Sequence, residues 1–416
     1  MSERRQWIEK DRQYYKFSAY GFLKNLRFFE PFLILFFLEK GVSYFEIGVL
    51  YAVREILVNI FEIPSGFIAD AFGRRRTMVF SLFAYILSFV VFFFSNAYIA
   101  LIGAMVLYAL GDAFRTGTHK AMIYTYINAN GMGHLKGAYY GHTRSWSQTG
   151  SAISALIAAL LVFYTESYSP IFLFTLIPYV LDLFLILSYP QWLDGNEHTK
   201  GKSPKELFTG MLTALAKSFR QMALMKGMLN QSLYSGYYKA LKDYIQPMIV
   251  ALTITSPFLT SYDDVQRSAF FTGAVYSVLY FATSFASKKA SYFAGRFSSE
   301  SGALNFFFSF GAWCAVASAI TFAFSLPLFS VLLFFGIYLV ENIRKPVGLS
   351  YLSSLMDETI LAASLSVESQ LETLFAVLFS LLVGGLTSLF SLEAALLATS
   401  GVLLVSSFMV HLRDHD

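Results

Sequence analysis

Apolar residues run in blocks of about twenty along this chain, each block closed by a short polar connection. A block of that length crosses a hydrocarbon layer as one helix, with its backbone polar groups satisfied internally. Twelve spans are predicted, over 17–38, 44–65, 77–95, 98–121, 144–164, 170–189, 228–252, 268–289, 303–324, 327–350, 363–387 and 391–411. The second and seventh are the least apolar. One long polar stretch interrupts the series, from about Gln191 to Gln221, with an amphipathic helix expected over Glu206–Arg220.

Six spans precede that stretch and six follow it. The expectation is an all-α integral membrane protein of two six-helix bundles, 1–190 and 226–416, joined by a linker at 191–225. Loop charge sets its orientation. With the N-terminus inside, the inner segments hold Arg4, Arg5 and Arg12, then Arg74 to Arg76, Lys136, the linker lysines, Lys288, Lys289, Arg296 and Arg413. The outer loops hold only Lys40 and Arg267, so both termini are expected to be cytoplasmic.

Composition agrees with a membrane protein. Hydrophobic residues make up 56% of the 416 and charged residues only 14%, far below the roughly 25% of soluble domains. The net charge of +4 is spread over short loops, not gathered in the stripe that nucleic acid requires. The single cysteine, Cys314, excludes an intrachain disulfide and a thiolate metal site. The polar first sixteen residues contain no signal-peptide pattern, so span 1 is expected to remain in the protein. Gly195 to Ser203 approximates a phosphate-binding loop, but its first glycine is one residue early and no strand precedes it, so ATP is not expected as a partner. No nucleophile–base pair or metal-ligand spacing is visible. Neither an enzyme nor a cofactor is expected.

The connection between spans 2 and 3 reads Gly66-Phe-Ile-Ala-Asp70-Ala-Phe-Gly73-Arg74-Arg75-Arg76. It resembles the loop between helices 2 and 3 of the major facilitator superfamily, Gly-x-x-x-Asp-x-x-Gly-Arg-[Arg/Lys]-[Arg/Lys]. The resemblance implies two bundles around a central cavity that rock to open it to alternate sides. It also implies that Gly66, Asp70, Gly73, Arg74 and Arg75 form a lock stabilising one conformation at the cytoplasmic face. The matching stretch of the second half, Tyr292 to Arg296, lacks the acid, so such a lock would be one-sided. The halves echo each other elsewhere. Gly21-x-x-Lys24-x-x-Arg27 in span 1 parallels Gly236-x-x-Lys239-x-x-Lys242 in span 7. Asp112-x-x-Arg115 in span 4 parallels Glu341-x-x-Arg344 in span 10, as expected of a duplicated unit.

Ionisable side chains inside the spans carry the candidate chemistry, because each costs a few kcal/mol or more unless it meets a partner or a wet cavity. In the resembled family, spans 1, 4, 7 and 10 line the cavity. The candidate substrate contacts are therefore Lys24, Arg27, Asp112, Arg115, Lys239, Lys242, Asp243, Gln246, Glu341 and Arg344. Acid–base pairs such as Asp112 with Arg115 could equally neutralise each other between helices. Glu30, Glu55 and Asp112 stand near cations in sequence and are candidate proton carriers. Pro247 is expected to kink span 7. Two family signatures are missing: span 4 has Ala113, not arginine, four residues before Gly117, and span 5 has no Gly-Pro after Gly150.

The expectation is a multi-pass secondary transporter of a bacterial-type cytoplasmic membrane. It would move a small organic solute with a charged or zwitterionic group, with protons as a candidate coupling ion and export of amphipathic compounds favoured over uptake. The alternative is a non-transporting membrane sensor or assembly partner on the same fold.

Overall fold

The structure is a computed structural model that describes residues 10–132, 136–194, 206, 209, 222–355 and 358–413. Among the described residues every regular element is helical. The expected linker helix lies outside them apart from Glu206 and Thr209, as do Gly195 to Ser203. Nine helical stretches among the described residues are long and apolar enough to cross a membrane. They match expected spans 3 to 6 and 8 to 12. The first and seventh spans are each broken, and the second carries Arg54, Glu55 and Glu62 in its middle.

Span 1 forms α1 (Arg12–Lys24) and α2 (Leu33–Glu39), separated by a non-helical stretch and a short 3-10 turn at Glu30–Phe32. Pro31 explains the break, since it donates no N–H and disfavours helix in the residue before it. Helix α3 (Tyr44–Phe72) is followed by α4 (Arg74–Phe94). Span 4 is α5 (Tyr98–Arg115) and α6 (Thr118–Ala129), joined at Thr116 and Gly117. Spans 5 and 6 are α7 (Lys136–Thr165) and α8 (Pro170–Leu187).

Span 7 repeats the break of span 1. Helix α9 (Met222–Leu241) runs into a 3-10 turn at Lys242–Tyr244, then α10 (Ile245–Thr255). Pro247 sits in the first turn of α10, where a missing N–H does least harm. There follow α11 (Asp264–Lys288), the short α12 (Ala290–Ala294), α13 (Glu300–Ala323), α14 (Pro327–Ser354), α15 (Glu358–Leu389) and α16 (Leu392–Met409).

The helices sort into two compact units. The first comprises Met1–Glu30, Leu57–Leu161 and Ser169–Pro204, and the second Pro31–Ile56, Val162–Tyr168 and Lys205–Asp416. In the first, α4 packs on α5 and α8. In the second, α13 packs on α14 and α16. These are the third, fourth and sixth expected spans of each half, so the weak sequence echo has a counterpart in packing. Many large apolar side chains point outward, among them Phe83, Phe94, Ile177, Phe281, Phe329 and Phe408. Distributed over many helices, they suit a surface wetted by acyl chains.

Candidate functional site

In the first unit, Lys24 ends α1, Arg27 lies in the break that follows, and Asp112 and Arg115 occupy the last turn of α5. The spacing of three puts the last two on one face, and Arg115 Nη2 lies 3.2 Å from Asp112 Oδ1. Arg27 Nη2 approaches the same oxygen at 3.8 Å. Tyr85 on α4 donates its hydroxyl hydrogen to that oxygen and accepts from Arg115 Nε at 3.2 Å. One carboxylate thus gathers two guanidiniums and a phenol. Such multiple partnering is what offsets desolvation of the ions.

Tyr85 can stand there because Gly111 lacks a side chain. A Cβ at position 111 would come within 2.8 Å of the Tyr85 ring. Tyr179 on α8 donates to the Lys24 carbonyl at 3.2 Å and meets Tyr85 edge-on at 5.3 Å. Asp182, also on α8, is fully buried, and neither of its carboxylate oxygens has a hydrogen-bond partner among the described residues. Glu30 lies within electrostatic reach of Lys24 and Arg27.

Beside this cluster is a cavity of about 480 Å³ walled by α1, α6, the α5–α6 junction and α7. Lys24, Asn25, Arg115, His119 and Gln148 are among its lining residues. His119 stacks on Tyr20 with ring centres 3.8 Å apart, and its Nε2 meets the Tyr189 hydroxyl at 3.2 Å. Lys24 is only 8% exposed, and its ammonium makes no hydrogen bond or ion pair with any described residue.

The second unit distributes its charges differently. Lys239 Nζ lies 2.8 Å from Glu372 Oε1 on α15 and 3.6 Å from Glu55 Oε2 on α3. Glu55 also takes Arg54 at 2.8 Å. Lys345 bridges Glu372 at 3.6 Å and Glu341 at 3.9 Å, and Ser235 donates to Glu341 at 2.9 Å. Lys242 Nζ reaches Asp243 at 4.0 Å, and Tyr51 donates to Asp243 at 3.0 Å.

Gln246 and Arg344 bond to the protein itself, although Arg344 Nε and Nη1 have no hydrogen-bond partner among the described residues. Gln246 is fully buried; its Oε1 accepts from the Ile34 N–H at 2.8 Å near the start of α2, and its Nε2 faces Tyr276 at 3.3 Å. Arg344 is fully buried on α14, donating to Asn230 Oδ1 at 2.6 Å with its guanidinium 4.7 Å from the ring centres of Tyr234 and Phe308. So the structure brings Lys24, Arg27, Asp112 and Arg115 together, and joins Lys239 to Glu55 and Glu341 to Lys345, while Arg344 turns away into an aromatic pocket.

At the α3–α4 connection, Gly73 has φ +97°, a conformation that glycine adopts without a Cβ penalty. It starts α4 abruptly, and Asp194 Oδ1 accepts the Arg75 N–H at 2.6 Å. An acid brought from 119 residues away therefore caps a helix whose own first turn carries only arginines. Arg75 Nη1 donates to the Tyr189 carbonyl at 3.1 Å just beyond the end of α8, and Arg74 donates to Thr125 at 2.6 Å. The side chain of Asp70 lies outside the described residues.

Sequence reasoning did not single out Tyr20, Tyr85, Tyr179, Gln148, Lys345 or Asp194. Lys345 carried a signal, standing four residues after Glu341. The tyrosines carried none, because 26 tyrosines offer no means of choosing three.

Three solved structures are similar in fold over nearly the whole chain. A mutant of the nucleoside transporter NupG superposes with a TM-score of 0.80 at 13% identity, covering 95% of this chain and 98% of that one. A POT family transporter in complex with 5-aminolevulinic acid gives 0.73 at 12% identity, covering 96% and 95%. A bacterial homologue of the human lysosomal transporter Spinster gives 0.71 at 14%, covering 97% of each. In sequence, the uncharacterized MFS-type transporter YxaM of Bacillus subtilis (strain 168) is 36% identical over 107 residues, a match spanning 26% of this chain and 27% of that protein. A family model of the Major Facilitator Superfamily matches residues 25–340, which hold most of the clustered charges and the glycine–arginine connection. This multi-pass membrane protein belongs to the Major Facilitator Superfamily.

Proposed function

We propose that the protein is a secondary active transporter that carries a small organic solute bearing a charged group across a bacterial-type cytoplasmic membrane by alternating access. The reading takes twelve spans in two six-helix halves, 1–190 and 226–416, a linker at 191–225 and both termini in the cytoplasm. The observation that carries it is the polar cavity against Lys24 and Arg115, where buried charged groups line a space large enough for a small solute. The solved transporters of similar fold add support for transport as the activity.

Protons are the proposed coupling ion. Among the three carriers considered, Glu55 and Asp112 each share their carboxylate with two cations, so releasing one cation in another conformation would change proton affinity. Glu30 would respond in the same way to Lys24 and Arg27.

The test is a thermal-shift screen of the purified protein against solutes and drugs, followed by flux of the hits in proteoliposomes carrying an internal pH dye. A solute at a hundred times its dissociation constant adds about 2.7 kcal/mol of stability. Stabilisation that Arg27→Gln and Lys242→Gln both abolish, with flux that acidifies or alkalinises the lumen, is the expected result. Flux indifferent to a pH gradient removes the proton. Binding without flux of any solute favours a sensor over a transporter.

A further inference from the structure

We propose that the first-unit cavity binds an organic monocarboxylate with a flat, ring-like body, and that Lys24 is the residue that selects its charge. Charge balance is the first argument. Among the described residues, no acidic side chain lines the cavity, while Lys24, Arg115 and Lys120 do. Arg115 is already matched by Asp112 at 3.2 Å. Lys120 is exposed, with its ammonium 5.5 Å from the Tyr124 ring centre, so water screens it. Lys24 alone is both more than nine-tenths buried and without an oxygen partner. Asp112, Glu30 and Asp182 act on Lys24 only across space, none of them in an ion pair with its ammonium, so a direct contact there is open to one carboxylate, which fits better than a dianionic phosphate.

Shape is the second argument. Phe17, Tyr20 and His119 line the same cavity as Lys24, with Tyr20 and His119 stacked 3.8 Å apart, so aromatic rings form part of its wall. Asn25 and Gln148 also line it, Asn25 with its Nδ2 donated to the Gly21 carbonyl at 2.7 Å. The volume of about 480 Å³ lies within the range of small-molecule sites and admits a ring with a short acid arm.

The inference rests on the transport reading only for the statement that the bound acid is moved. The experiment uses matched solutes of equal shape: benzoate with benzamide, nicotinate with nicotinamide, and benzylamine as the cation. Detergent-purified full-length protein is heated with each at millimolar concentration, as wild type, Lys24→Gln and Lys24→Arg. The expected result is a dose-dependent rise in Tm of at least about 2 °C with the carboxylates alone. It should vanish in Lys24→Gln and return in Lys24→Arg, which a merely structural role would not produce. Equal shifts with amides or amine, carboxylate shifts retained in Lys24→Gln, or no carboxylate shift at all would each overturn the assignment. Suppression of the carboxylate shift by phosphatidylglycerol micelles would instead give the cavity to a lipid headgroup. A carboxylate that binds but does not cross proteoliposomes defeats the transport reading and leaves the site intact. A neutral solute that crosses equally well with Lys24→Gln does the reverse.

Discussion

Arg115 lies one turn after Asp112 and points its guanidinium back at that carboxylate, 3.2 Å away. Arg344 lies one turn after Glu341 and instead bonds Asn230 at 2.6 Å between two aromatic rings. The same three-residue spacing therefore serves two ends. In the first unit it builds a charged cluster at a cavity wall, and in the second it anchors α14 to α9.

Asp112→Asn should destabilise the protein by roughly 3 kcal/mol, because Arg27 and Arg115 would both remain buried without the carboxylate they pair with. Asp182→Asn removes a carboxylate with no hydrogen bond to lose, and should cost under about 1 kcal/mol. Thermal unfolding in detergent checks the ranking. A larger loss at 182 would mean that its oxygens have a partner in solution.

Arg344→Met should hold stability within about 1 kcal/mol, since its side chain keeps most of the packing against Tyr234 and Phe308. Arg344→Ala opens a cavity there and should cost about 3 kcal/mol. Any solute that stabilises wild type should stabilise Arg344→Met equally. Loss of that shift would return Arg344 to the substrate contacts.

Gly111→Ala tests the close approach of α4 and α5. Alanine gains up to about 1 kcal/mol in helix propensity but forces a Cβ to 2.8 Å from a fully buried tyrosine ring. Overpacking costs about 1–3 kcal/mol, so net destabilisation is expected, with a lower Tm in the same assay. Gly103→Ala on the same helix meets nothing within 4 Å and should be neutral or stabilising.

Asp194→Ala removes the cap of α4 and should lower stability by about 1 kcal/mol. Asp194→Asn keeps the acceptor and should recover most of that loss in thermal unfolding. High salt should narrow the gap between Asn and wild type, because the remaining difference is the carboxylate's charge against the helix N-terminus and its arginines.

What the sequence by itself determined are the properties that depend on local composition. Apolar length sets where the chain can enter a bilayer, clustered arginines such as Arg74 to Arg76 set an expected inner side, and Pro247 set an expected bend in span 7, whereas span 1 was expected unbroken. The pairing of Asp112 with Arg115 was also legible, because helical geometry fixes neighbours three residues apart. Partners distant in sequence were not. Tyr85 reaches Asp112 only once α4 packs on α5, and Asp194 reaches the start of α4 only once the end of α8 is folded beside it. Burial was decided the same way: nothing in Gly21-x-x-Lys24 or Glu341-x-x-Arg344 tells which cation will be left without an oxygen and which will be held between rings. Those outcomes depend on which side chains tertiary packing brings within about 4 Å, and no local pattern encodes that distance.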